Sequence, residues 1–342
     1  MSVLSQLGGT KRRWAGRWVG HGAAALLGLS MVVTAGLSAC GGGTAQIQAF
    51  KPARLIVLGD ETSVLIDDGA SNAKKYSISN WDATTSVRDC LLLPLWVQAL
   101  STHYSFVFAE CNKAAATPAA FMRAKVGGKV EGAGIGLAAQ LAAQTSADSA
   151  VKAGDLFSVM IGANDLFELA DRLQAGTLNA ANATTEARRR GAVLANQINA
   201  LLATGARGIV ATVPDVGLSP YVKAMETTRA GAIAQVTALT YEFNAALRTT
   251  IDSSKYDGRN YGLVLADDLV LSMSKNPAVF ALSNVDKAVC AVALPDCTSA
   301  TADLITDGVA ASFLWADNKR LASNAQGRIG TQAVARAQGN PF

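Results

Sequence analysis

Short apolar runs alternate with longer helical patterns along this chain, and that alternation limits its possible folds more than any other feature. RLIVLGD (54–60) reads as a buried strand that stops at Gly59 and Asp60. SFVFAE (105–110), DLFSVMIG (155–162), GARGIVATVP (205–214) and LVLAD (263–267) read as further strands. Helical patterns fall between them at 90–104, 137–144, 164–174, 184–204 and 227–251, and a last one closes the chain after Phe313. Apolar runs without polar alternation belong to strands covered on both faces. Strand, helix, strand at this spacing predicts a three-layer α/β/α domain around a five-stranded, mainly parallel sheet. Residues 67–89, 111–135 and 270–312 read as loops, the first with a small hairpin around Lys75. Ligands of such sheets bind beyond the carboxyl ends of the strands. Those ends carry Asp60, Asn164, Asp215 and Asp267.

The first 40 residues read differently, as a lipoprotein signal peptide. Lys11, Arg12, Arg13 and Arg17 form a basic start, and Ala23–Leu37 is an apolar stretch. That stretch is shorter than the about 20 residues a membrane span needs. Leu37-Ser38-Ala39-Cys40 follows, with small residues ahead of a thiol that would take the lipid. Residues 41–50 begin GGGTAQ and read as a flexible tether, so the folded domain is expected over 51–342. Gly41 stands where an Asp would signal inner-membrane retention, which favours an outer-membrane location facing the periplasm or the cell surface.

Charge and cysteines narrow the function further. The formal charge of +4 comes from those four early cations, and the remaining 26 basic and 26 acidic residues balance. A balanced body argues against nucleic-acid binding, which needs a basic face. Cys90, Cys111, Cys290 and Cys297 are an even set in an exported chain and predict two disulfides. Three pairings are open to four cysteines; Cys90 with Cys111 and Cys290 with Cys297 is favoured because both fit within short supersecondary units. His103 is the one imidazole after residue 40, and no CxxC spacing occurs, so no metal or cofactor site is expected.

The strand-end motifs resemble those of the SGNH/GDSL hydrolases. LIVLGDETSVL is similar to the family's first block, in which a strand ends in Gly-Asp-Ser-Leu-Ser. IGANDLF resembles the Gly-x-Asn-Asp block at the start of a helix. VPDVGLSP resembles the proline-containing exit of the fourth strand, and LWADNKRLASNAQGRI the Asp-x-x-His block with its closing helix. The order holds over nearly the whole chain after the tether. The resemblance implies a flavodoxin-like sheet and ester hydrolysis by a Ser-His-Asp triad. It also implies an oxyanion hole made by the Ser amide, a Gly amide and the Asn side chain.

Carried over, the nucleophile position falls on Glu61, the oxyanion glycine on Gly127 or its neighbour Gly128, and the oxyanion asparagine on Asn164. The triad carboxylate falls on Asp317 and the triad histidine on Arg320. Two positions depart from the pattern. Glu61 is a carboxylate where a hydroxyl is needed, and the Arg320 guanidinium stays protonated and cannot act as a base. Ser63 follows two residues later, where a helix start would turn it away from the site. Three readings stay open: an ion network filling a retired pocket, a binding site for a small-molecule, glycan or acyl ligand, and hydrolysis kept through Glu61. The favoured expectation is an envelope lipoprotein with a degenerate esterase-like domain that binds or scaffolds. An active hydrolase of acyl esters, on lipids or acetylated glycans, is the alternative. Asp60 is expected to bond amides around its turn, Asp165 to cap or brace the helix after Asn164, and Arg188–Arg190 to form a solvated helix face.

Overall fold

The computed structural model describes residues 49–115, 117–255 and 258–339. The signal segment and Cys40 lie outside the described residues, as do residues 41–48 of the tether. The chain runs from β1 (Arg54–Gly59) through two short antiparallel ribbons, β2 (Leu65–Ile66) with β3 (Lys74–Lys75) and β4 (Asn80–Asp82) with β5 (Val87–Asp89). It continues as α1 (Trp96–His103), β6 (Ala120–Met122), α2 (Leu137–Ala147), β7 (Asp155–Met160), α3 (Ala163–Gln174), α4 (Ala180–Ala203) and β8 (Arg207–Ala211). Then come α5 (Pro220–Glu226), α6 (Ala232–Thr250), β9 (Tyr261–Val264), α7 (Ala266–Lys275), β10 (Asn284–Ala288), β11 (Phe313–Trp315) and α8 (Ser323–Gln338).

The main sheet has five strands in the order β6-β1-β7-β8-β9, each pair parallel. Strand periodicity divides its side chains between two cores. Ile56, Leu58, Phe157, Val159 and Val210 point into one, shared with α2, α3, α4 and α6. Leu55, Val57, Leu156, Ile209 and Val264 point into the other, shared with α1, α7 and α8. Both faces are covered, which makes three layers and explains the unbroken apolar runs.

The strand order reverses between β1 and β7, since the chain leaves β1 for the edge at β6 and returns to β7. The crevice above their carboxyl ends is where such sheets bind ligands. Gly162 allows the abrupt change from β7 to α3: its φ is +131°, and a Cβ there would meet Phe243 at 2.5 Å.

Several local expectations are corrected. SFVFAE (105–110) is not a sheet strand. Ser105 sits at φ +59°, Phe108 makes one isolated bridge to Ala120, and the edge strand is β6, inside the segment read as a loop. The predicted helix over 90–104 begins only at Trp96, after bends that carry Cys90. The pattern over 227–251 starts at Ala232, because Gly231 at φ +84° separates it from α5. The segment read as irregular from 270 includes the second half of α7 and β10.

Both sequence-local cysteine pairs are bonded, Cys90 with Cys111 and Cys290 with Cys297, at Cα–Cα separations of 5.5 and 6.0 Å. The second closes an insertion with its own small core of Ile78, Val289, Cys297, Leu304 and Phe313. That insertion lies against β11: the Val289 amide donates to Trp315 O at 3.1 Å, and the Cys290 amide donates to Ala316 O at 2.9 Å. Among the described residues no helix is long and apolar enough to cross a membrane.

Candidate active-site position

Glu61 follows the end of β1 and is 4% exposed. Its Oε1 accepts from Arg320 Nη2 at 2.8 Å, and its Oε2 accepts from Asn164 Nδ2 at 2.6 Å. The Glu61 backbone amide adds a further donor to its own carboxylate. Asn164 reaches the site from the first turn of α3, and its Nδ2 also donates to Gly128 O at 3.0 Å. Gly128 lies so close to the end of β1 that a Cβ there would meet Gly59 O at 2.5 Å. Gly127 next to it has φ +70° and open space around it.

Asp317 and Arg320 come from the turn after β11. Asp317 Oδ1 accepts from the Lys319 and Arg320 amides at 2.7 and 2.6 Å, which fixes the turn in the manner of an Asx cap. Arg320 Nη1 donates to Asp317 Oδ2 at 3.3 Å. The guanidinium thus lies between Glu61 and Asp317 and passes 5.7 Å from the centre of the Tyr76 ring. The structure brings Glu61, Asn164, Gly128, Asp317 and Arg320 together at the carboxyl ends of β1 and β7.

The charge states follow from this packing. Burial opposes ionisation of Glu61, but the Asn164 hydrogen bond and the Arg320 charge outweigh it and hold the carboxyl below its ordinary value. Burial also opposes the charge on Arg320, and Asp317 and Glu61 more than restore it. Asp60 is pushed up to about 7, first by burial and then by the neighbouring Glu61 charge. Its Oδ1 accepts from the Thr62 amide at 3.0 Å, so it braces the turn. Glu61 is thus a carboxylate held by three donors, from Arg320, Asn164 and its own backbone amide.

Other residues singled out from sequence lie elsewhere. Ser63 is fully buried, with its Oγ accepting from Trp96 Nε1 at 3.0 Å. His103 closes the last turn of α1, exposed and 3.4 Å from Gln338 near the end of α8. Asp215 and Asp267 sit over β8 and β9: Asp215 Oδ1 accepts from the Gly217 amide at 2.9 Å, and Asp267 Oδ1 from Thr212 Oγ1 at 2.6 Å. Among the described residues, no group of three or more His, Cys, Asp or Glu side chains is arranged to hold a metal ion.

Sequence reasoning missed two features. Arg190 is not solvated: it is 9% exposed and bonds Asp165, Glu168 and Glu186 at 3.2, 3.0 and 2.8 Å. Asp165 Oδ2 in turn accepts from the Val130 amide at 3.0 Å, tying the Gly128 loop to α3. The signal was available, because Ala183, Ala187, Arg190 and Leu194 lie on one helical stripe. The second feature is Lys319, whose Nζ lies 3.9 Å from the centre of the Tyr221 ring and 4.9 Å from that of Phe167. No local pattern marks it, since its partners come from α5 and α3.

Comparison with known proteins bears on this geometry. The family profile described as GDSL-like Lipase/Acylhydrolase matches residues 69–309. That span takes in Gly128 and Asn164, while Glu61 and the Asp317–Arg320 turn flank it. No curated protein matches the chain. A solved crystal structure of protein YXIM from Bacillus subtilis matches over 86% of this chain and 59% of its own, at 15% identity and a TM-score of 0.37. The chain therefore spans less than two thirds of that protein's length. By the family match over most of its length, the chain belongs to the GDSL-like lipase/acylhydrolase family.

Proposed function

We propose that this chain is a non-hydrolytic member of its family, exported and anchored through lipid on Cys40, whose domain binds a small-molecule, glycan or acyl ligand. The observation that carries this reading is the engagement of both Glu61 oxygens, by Arg320 and by Asn164. Acyl transfer by the family route needs a neutral hydroxyl, a base touching it and free donors for the developing oxyanion. Position 61 offers a carboxylate already in an ion pair. Position 320 has no lone pair to take a proton. The Asn164 amide, which would meet the oxyanion, is spent on Glu61 and Gly128.

The purified mature protein is expected to hydrolyse p-nitrophenyl acetate and butyrate no faster than buffer, and to resist serine-directed phosphonate labelling. Robust hydrolysis abolished by Glu61→Ala would overturn this reading. It would support the second one, in which Glu61 acts as nucleophile or as the base for an attacking water. What favours that second reading is that Glu61 is held ionised beside Asn164. The anchor is tested separately: Cys40→Ser is expected to release the protein from the membrane fraction, and unchanged fractionation and mass would sink it.

A further inference from the structure

The charges at the mouth of the site are not equally provided for. Both oxygens of Glu61 and of Asp317 are engaged by Arg320, Asn164 and the amides of the 317–320 turn. Tyr221 donates its hydroxyl to Asp171 Oδ1 at 2.6 Å. Lys319, next to Arg320, is the exception. Its half-buried Nζ makes no hydrogen bond or ion pair to any described residue and faces the rings of Tyr221 and Phe167.

We propose that Lys319 is the anion-recognition group of this site, its Nζ receiving an oxyanion of the ligand at the mouth beside Arg320. This rests on reading the site as a binding site.

Placement supports the assignment first. Phe167 follows Asn164 by one helical turn on α3, so the ring under Lys319 lies along the same side of α3 as the Asn164 amide. Tyr221 meets Phe167 edge to face, with ring centres 5.6 Å apart and planes at 87°. The Tyr221 amide also donates to Asn318 O at 2.9 Å, which joins α5 to the turn that carries Lys319. The backbone that carries Lys319 is therefore held in place and its side chain lies against two rings, which limits the entropy lost on binding.

Energetics supports it next. Stacking on aromatic faces offsets part of the desolvation of a cation, but the three N–H donors of an ammonium still need acceptors. Lys75 shows the contrast. It is fully buried, and its Nζ donates to the carbonyls of Leu92 and Leu93 at 2.8 and 3.2 Å. Lys75 is a finished structural contact, whereas Lys319 is half-buried with no protein acceptor on its Nζ; burial lowers its pKa, and the nearby Asp171 charge offsets part of that. The sign of the ligand follows from the ammonium itself, whose N–H donors have no protein acceptor and whose charge is supported by Asp171 nearby.

The test titrates the mature protein with sodium D-glucuronate, inorganic phosphate and, as neutral control, D-glucose. Calorimetry gives affinity, and amide NMR shifts give location. Saturable binding of glucuronate or phosphate is expected, with shifts centred on Lys319, Arg320 and Tyr221, and none from glucose. Saturation by glucuronate alone assigns a sugar carboxylate, and by phosphate a phosphoryl group. Lys319→Met, which keeps the aromatic packing, is expected to weaken binding about tenfold or more, as loss of one charge-assisted hydrogen bond does. Lys319→Arg is expected to retain most of it, and matched melting temperatures establish that the variants fold. No saturable shift from either anion, shifts centred elsewhere, or an unchanged affinity in Lys319→Met would overturn the proposal. Ester turnover that depends on Glu61 would remove the non-hydrolytic reading and leave the Lys319 measurement to stand by itself.

Discussion

Two arginines, one buried and one partly buried, organise this domain, and they do so differently. Arg190 lies between α3 and α4 and meets three carboxylates from two helices. Arg320 lies at the strand ends and meets Glu61 and Asp317, while a further buried acid, Asp60, stands beside Glu61 without a cation of its own. Around Arg190, Glu168 and Glu186 are drawn down to about 2, chiefly by hydrogen bonds from Arg190 and Arg189. At the strand ends, Asp60 is pushed up to about 7 by burial and by Glu61. The first network is dense in ion pairs and joins two helices, although its most buried acid, Asp165, is itself raised to about 6. The second keeps a protonated acid, Asp60, beside the Glu61–Arg320 pair, and perturbed groups of that kind gather where chemistry or binding uses them.

The largest expected effect separates the two networks on stability. Arg190→Ala removes the cation facing Asp165, which is 2% exposed. Breaking a buried pair from one side costs about 3–5 kcal/mol. The urea midpoint is expected to fall accordingly, and the Gly128 loop to exchange its amides faster, because Asp165 holds the Val130 amide. Glu61→Gln is expected to fall far less, since Arg320 keeps Asp317. Equal losses in the two variants would erase the distinction drawn between the networks.

A second prediction uses the insertion that supports only one of them. Cys290→Ser with Cys297→Ser opens a loop of sequence separation 7. Chain entropy sets the loss at roughly 2–3 kcal/mol. The effect is expected to be local, because Val289 and Cys290 hold β11 and the residue after it. Amide exchange is expected to quicken across 313–320, at the Asp317–Arg320 turn, and to stay unchanged across α3. Quickening in α3 as well would show that the two regions open as one unit.

The same contrast shows what the sequence could reveal. β1, β7, β8 and β9 are continuous apolar runs, buried on both faces, and so they announced themselves. β6 did not: it has three residues at the sheet edge, flanked by Gly- and Ala-rich chain, and only its pairing to β1 makes it a strand. Glu61 and Asn164 were singled out because each follows a strand read from the sequence, whereas Asp317 and Arg320 came only from the resemblance to the Asp-x-x-His block, since β11 before them is three residues long and was read as a loop. Lys319 was named only as part of a motif, since the rings that desolvate it lie 98 and 152 residues away in the chain. Arg190 was masked by its neighbours: in a run of three arginines, helical phase decides which one turns inward, and Ala183, Ala187 and Leu194 had already set that phase.

The smallest expected effect concerns protons, and its sign distinguishes Asp60 from an ordinary paired carboxylate. An unfolded chain releases the Asp60 proton near pH 4, whereas the folded protein keeps it to about 7. Between those values the native state binds more protons than the unfolded one, so this group makes stability fall as pH rises from about 4 to about 7. Glu61 acts in the opposite sense. Its folded value lies below the ordinary one, so its contribution is present above the unfolded pKa and is lost as pH falls through the folded value. Glu61→Gln removes the second cause of the Asp60 shift while leaving burial, the first, in place. The Asp60 carboxyl is then expected to titrate lower, and the decline in urea midpoint between pH 5 and pH 7 to become shallower. Carboxyl-carbon NMR reads the titration directly. Asp165, raised to about 6 mainly by burial, serves as the internal control, since Glu61 is not among the causes of its shift. An Asp60 midpoint that stays in place in Glu61→Gln would mean that the strand-end carboxylates do not share a field. The site would then resemble the Arg190 network after all, as a set of independent structural contacts.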